Sequence, residues 1–132
     1  MAATVLVPTV LTKSDLQKVI AMTAVITASN NDTIALGAFP DQRVGIIIQN
    51  TDASHDATVI FSAGDGILAL EGAVTVLVPA TKTVFVPLVN LETARILNTF
   101  GSNANKGMII VNTTIATGGA IGDVTFGIVE QS

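Results

Sequence analysis

The chain contains no cysteine, which removes disulfides, zinc–thiolate centres and cysteine nucleophiles from consideration. Tryptophan and tyrosine are absent as well, and the aromatic residues are Phe39, Phe61, Phe85, Phe100 and Phe126. Sugar-binding and single-strand-binding faces are built on exposed aromatic platforms, so these phenylalanines are expected to fill a core. Charge is scarce: 12 % of 132 residues are Asp, Glu, Lys or Arg, where a soluble domain carries roughly 25 %. The basic residues Lys13, Lys18, Arg43, Lys82, Arg95 and Lys106 are dispersed, and the net charge is −4. Phosphate binding needs clustered positive charge, so nucleic acid is not an expected partner. Mean hydropathy is high at +0.65, yet no apolar run approaches the ~18 residues of a membrane span. The stretch 19–28 is interrupted by Thr23 and Thr27, and no membrane association is expected. The start, Met1-Ala2-Ala3-Thr4-Val5, lacks the basic opening of a secretory signal, so a soluble, unprocessed chain is expected.

What is abundant is β-branched. Val, Ile and Thr account for 47 residues, an excess that favours pleated strands over helices. A chain of 13.5 kDa is sized for one domain and exposes on the order of 6,500 Å² when folded. So few charged side chains cannot cover that area. Thr, Ser, Asn and backbone must share it, or a partner covers part of it.

Along the chain, strand patterns alternate with turn residues. Residues 1–13 read as an extended N-terminal arm, with apolar Thr4-Val5-Leu6-Val7 ended by Pro8, which breaks any ladder it joins. A terminus without order is the competing reading of that stretch. Ser14-Asp15-Leu16-Gln17 matches a helix capping box, whereas the β-rich run at 23–27 argues for a strand. Val44, Ile46 and Ile48 alternate with Gly45, Ile47 and Gln49, and apolar residues on both faces fit a central strand. Residues 50–56 form a turn-rich loop, and Val59 and Phe61 share one side of the next strand. Gly64-Asp65-Gly66 marks a turn.

Strands at 74–78 and 83–86, joined by Pro79-Ala80-Thr81-Lys82, read as a hairpin. Residues 90–98 fit one helical turn or a strand, and 101–107 a polar loop. Strands at 108–111 and 124–129, flanking Thr117-Gly118-Gly119-Ala120-Ile121-Gly122, read as a second hairpin. About eight strands at intervals of roughly ten residues predict an all-β fold, a single-domain β-sandwich or jelly-roll-like body over residues 14–132.

Few constellations could carry chemistry. His55, the sole histidine, lies between Asp52 and Asp56, a grouping open to an ion site or an acid/base pair. Calcium loops place ligands at alternating positions, and here Ala53 and Ser54 intervene, so a loop whose Asp side chains cap their own backbone is the simpler expectation. Ser54 and Ser62 are not framed by the Gly-x-Ser-x-Gly elbow of a hydrolase. Asp65, Glu71, Glu92 and Asp123 are too scattered to nominate a carboxylate pair. The glycines at 118–122 superficially suggest a phosphate loop, but a strand pattern rather than a helix follows them. The sequence therefore predicts a protein that is not an enzyme, with no catalytic residue, cofactor or metal.

A further pattern runs across most of the chain. Pro8-Thr9-Val10-Leu11-Thr12-Lys13 leads towards a β domain, and Ile46-Ile47-Ile48-Gln49-Asn50-Thr51-Asp52 is a hydrophobic strand ending in Asn and a polar tip. Ala57-Thr58-Val59-Ile60-Phe61 follows as a Thr-Val strand, then Val78-Pro79-Ala80-Thr81-Lys82 as a turn, Val86-Pro87-Leu88 as a strand end, and a closing hydrophobic strand at 124–129. This order resembles small virion proteins of tailed bacteriophages that lie on or close to the capsid shell. Thr81 stands where that group usually has Gly, and residues 67–71 have no counterpart in it.

The resemblance implies a capsid decoration protein: a rigid β body that bridges neighbouring capsomers, commonly as a trimer at local three-fold positions. Its partner would be the major capsid protein, its location the capsid surface of the virion, and its site of synthesis the host cytoplasm. An arm lying along another chain would use strand addition, with Thr4, Val5, Leu6, Val7, Val10 and Leu11 as the partner-binding residues. A tail- or fibre-associated module is an alternative in the same class. A small ligand- or sugar-binding β domain using the 50–56 loop and the Gly64–Gly66 turn is one in another.

Overall fold

The computed structural model describes residues 5–6, 8–12, 15, 17–35, 44–64, 72–87 and 108–131. Ten strands occur among them: β1 (Val5–Leu6), β2 (Pro8–Leu11), β3 (Thr23–Ala24), β4 (Asp32–Ala35), β5 (Val44–Asn50), β6 (Ala57–Phe61), β7 (Val74–Val78), β8 (Thr83–Pro87), β9 (Met108–Ile115) and β10 (Val124–Gln131). They form two sheets. Sheet I has the order β1-β4-β9-β6-β7, and sheet II the order β2-β10-β5-β8, with β3 also on β10. The fold is an all-β sandwich, as the composition predicts.

Alternation builds the core between the sheets. Val44, Ile46 and Ile48 of β5, Val59 and Phe61 of β6, Ile109 and Val111 of β9, and Val124, Phe126 and Ile128 of β10 are all buried. Burying a side chain of this size contributes roughly 1.5–3 kcal/mol, so these inward rows dominate the stability of the sandwich. β5 is an interior strand of sheet II, flanked by β10 and β8, in agreement with its two apolar faces. Phe61 and Phe126 fill the core as expected, whereas Phe85 points outward and is 60 % exposed.

Both expected hairpins are corrected. β7 pairs with β6 in sheet I, while β8 pairs with β5 in sheet II, so residues 79–82 carry the chain from one sheet to the other. β9 pairs with β4 and β6, while β10 pairs with β5, and residues 116–123 make the same crossing, ending in a short 3-10 turn, Ile121–Asp123. Turn residues mark where a strand stops, but not which sheet receives the next one.

The arm ahead of the domain is also corrected. β1 lies parallel to β4 at the edge of sheet I, with Val5 opposite Thr33 and Leu6 opposite Ile34. β2 lies parallel to β10 at the edge of sheet II, with Pro8 opposite Ile128 and Leu11 opposite Gln131. Leu6 is fully buried, so this stretch completes the core instead of extending from it. Pro8 does not end a ladder but starts one, a position where its missing N–H is tolerated. Val5 and Val10 remain exposed, Val5 at 59 %.

Among the described residues there is no α-helix. Of the capping-box segment, Asp15 is described with a local role: its Oδ2 accepts hydrogen bonds from the N–H (2.9 Å) and Oγ1 (3.1 Å) of Thr12. Thr4, Val7, Ser14, Leu16, Asp65, Gly66 and the segments 90–98 and 101–107 lie outside the described residues.

Candidate functional site

Three sheet-crossing loops, 51–56, 79–82 and 116–123, meet at one end of the sandwich, and Asn50 stands at their junction. It closes β5 with its side chain buried. Its Nδ2 donates to the carbonyls of His55 (2.9 Å) and Val78 (3.2 Å), and its Oδ1 accepts from Asp52 N–H (3.0 Å). Its own N–H donates to the Lys82 carbonyl at 3.0 Å. One residue thereby satisfies backbone groups of the 51–56 loop, the end of β7 and the 79–82 loop.

The Asp52, His55 and Asp56 grouping lies in the first of these loops. Oδ1 of Asp52 accepts from the N–H of Ser54 (2.9 Å), the N–H of His55 (3.0 Å) and Nδ1 of His55 (2.8 Å). The Ser54 N–H, and after it the imidazole, hold this carboxyl down to about 2. Oδ1 of Asp56 accepts from Ala80 N–H at 2.9 Å, and its carbonyl accepts from Ala116 N–H at 3.0 Å. The Asp52 carbonyl accepts from Thr81 N–H, and the Asp123 carbonyl from Thr51 N–H, each at 3.0 Å.

This geometry is that of a fastener. The described oxygens of Asp52 and Asp56 face backbone donors, and among the described residues no group of three or more His, Asp or Glu side chains could hold a metal ion. Ser54 Oγ lies 3.3 Å from His55 Nδ1, the same nitrogen that Asp52 occupies. A proton relay needs the serine and the carboxylate on opposite nitrogens, and that arrangement is not made. Ser62 is elsewhere, accepting from Asn112 Nδ2 on sheet I at 3.2 Å.

The glycines at 118 and 119 serve close packing against His55. Gly118 has φ +97, in the left-handed region, and a Cβ there would stand 3.1 Å from His55 Nε2. At Gly119 a Cβ would meet Ile115 Cδ1 at 2.8 Å and His55 Cβ at 2.9 Å. The sequence singled out Asp52, His55 and Asp56 as a grouping, and Asn50 only as the end of a strand and the start of a loop. Its signal was an Asn closing a buried strand two residues before an Asp.

The outward faces of the sheets form the second notable surface. Gly127, Ile47 and Phe85 stand side by side across β10, β5 and β8. The row on one side of it is Val129, Gly45 and Pro87, and the row on the other side Thr125, Gln49 and Thr83. Ile20 and Met22 lie over Gly127, and Val19 just before them is 91 % exposed. On sheet I, Leu77, Thr58 and Thr114 share one outward row, and Thr75, Ile60 and Asn112 another. None of these side chains is charged. The charged residues within described strands, Asp32 and Glu130, are both buried, at 1 % and 3 % exposure.

Comparison of the chain with protein-family models, with curated proteins and with solved structures gave no match.

Proposed function

We propose that this protein is a structural component of a bacteriophage virion, a decoration protein that assembles with itself, as a trimer, and stabilises the capsid by binding the major capsid protein on the shell's outer surface. The observation that carries the reading is the uncharged outward face of sheet II, where Ile47 and Phe85 lie in one row and Phe85 is largely exposed. Apolar residues grouped on an outward sheet face suit a contact with another protein, and this supports the reading. At the loop end, Asn50, Asp52 and Asp56 hold the loops together, which suits a rigid structural body. The sequence resemblance supplies the class of partner.

Two measurements test it. Multi-angle light scattering on the purified chain is expected to give a trimer, and a monomer at micromolar concentration overturns the assembly. Co-sedimentation with purified capsid shells is expected to carry the protein into the pellet. Pelleting with isolated tails and not with shells would replace the capsid by the tail as the partner.

A further inference from the structure

Every described strand pairing in the sandwich is antiparallel except two, β1 with β4 and β2 with β10. Both belong to the first eleven residues. Without them, the described strands β4-β9-β6-β7 and β10-β5-β8, with β3 on β10, pair only antiparallel. The N-terminal stretch is thus a two-part ribbon laid on the edges of the antiparallel body, whose core it completes with Leu6. Its first part lies on the edge of one sheet and its second on the edge of the other. Leu6 fills the core between them. The socket is the edge of β4 and the stretch of β10 beyond β3, Ile128–Gln131, together with the space that Leu6 occupies.

The connection to the body leaves room for an alternative source of the ribbon. Between β2 and β3 the described residues form neither helix nor strand, and Gln17, Lys18 and Val19 are exposed. Body contacts resume at Ile20 and Met22, which cover Gly127. Eight residues, 12–19, separate the ribbon from that anchor. With the turn between Thr12 and Asp15 opened, eight extended residues span up to roughly 26–29 Å, the reach open to a ribbon seated on another copy.

We infer that the ribbon is exchanged between copies of this chain, so that residues 5–11 of one copy fill the β4/β10 edge socket of its neighbour in the assembled state. The occupant is a second copy because the socket's fit to this ribbon is already displayed within one chain: the ladders, the buried Leu6 and the hydrogen bond from Ala21 N–H to Thr9 Oγ1 (3.1 Å). Exchange keeps each of these contacts. Besides the connectivity only the solvent-exposed turn between Thr12 and Asp15 is given up, which makes swapping a low-cost route to an oligomer. The intrachain ribbon has the advantage of effective concentration. Contacts between neighbouring bodies through the apolar outward face offset it. The inference rests on the self-assembly proposed above and not on attachment to a capsid.

The absence of cysteine makes the test direct. Val5 and Thr33 are register partners, and adjacent strands lie ~4.8 Å apart, within the Cα separation a disulfide accepts. Val5→Cys and Thr33→Cys are placed on separate chains, which are unfolded together, refolded as a mixture and oxidised. Neither chain can close this bond alone. Exchange predicts the 5-to-33 heterodisulfide as the major cross-linked species, identified by peptide mapping. A control mixture pairs Val5→Cys with Thr75→Cys, on β7 at the opposite edge of sheet I. A heterodisulfide yield no higher than this control overturns the inference, whether or not a single chain carrying both Val5→Cys and Thr33→Cys closes on itself.

Discussion

The ring of Phe85 lies over Gly45: a Cβ at position 45 would stand 2.5 Å from its Cζ and 2.6 Å from its Cε1. The far edge of the ring therefore sits against the backbone of β5 at Gly45, while most of the side chain is exposed. Phe85→Ala is expected to lower stability by under about 1 kcal/mol, whereas Phe61→Ala, in the core, costs about 3–5 kcal/mol. Urea denaturation distinguishes the two. Phe85→Asp should keep a near-parental urea midpoint and lose self-association by light scattering. An intact oligomer in that variant would exclude the outward face of sheet II as the contact.

Leu6 predicts the cost of removing the N-terminal ribbon. Its side chain is fully buried, so Leu6→Ala should destabilise by about 2–5 kcal/mol. Deleting residues 1–13 removes that side chain together with two edge ladders and is expected to lower the thermal midpoint more than Leu6→Ala does. A truncated chain as stable as the full one would show that the antiparallel body needs no ribbon.

Asn50 should be the least replaceable residue of the loop junction. Asn50→Ala leaves the carbonyls of His55 and Val78 without their donor, at a cost of about 1–3 kcal/mol. Asn50→Asp turns an acceptor towards both carbonyls and is expected to be worse. The same denaturation series ranks them.

Thr81 has φ +65, a conformation that β-branched residues rarely adopt. Left-handed backbone costs an L-residue roughly 1–2 kcal/mol, partly offset by the greater entropy glycine loses on folding. Thr81→Gly is therefore expected to stabilise by about 0.5–1 kcal/mol, read as a higher thermal midpoint.

Two carboxyls give pH dependence of opposite sign. Asp52 is held at about 2 against an ordinary 3.8, so the folded chain releases this proton more readily than the unfolded one. Its stabilisation is present above about pH 4 and lost as pH falls towards 2. Asp52→Asn should flatten that slope. Burial raises the Glu130 carboxyl above its ordinary 4.5, and its Oε1 has no hydrogen-bond partner. Here the folded chain retains a proton the unfolded chain has lost, so stability falls as pH rises above about 4.5. Glu130→Gln should remove this decline and raise the urea midpoint at neutral pH.

The strands of the core were legible because their alternation is local. Val44, Ile46 and Ile48 declare an inward face, as do Val124, Phe126 and Ile128, and the structure buries all six. Sheet membership was not legible, since Pro79 and Thr81 read equally well as a hairpin turn or a crossing. The ribbon was misread because its strands are two and four residues long and their parallel partners are remote in sequence. At the loop junction, Asp52, His55 and Asp56 stood out by proximity. What they hold, the N–H groups of Thr81 and Ala80 and the packing of Gly118, comes from loops far along the chain.

The junction around Asn50 also has a mechanical consequence. Residues 51–56 are bonded both to 79–82 and to 116–123, so a pull that separates the sheets at this end loads several hydrogen bonds at once. Bonds strained together fail at a higher force than bonds peeled one by one, and forced rupture follows the unfolding rate. The opposite end, where β2 runs beside the close of β10, has its ribbon held by parallel edge ladders. Under tension the molecule should yield from the ribbon end first, with the loop junction as its anchor.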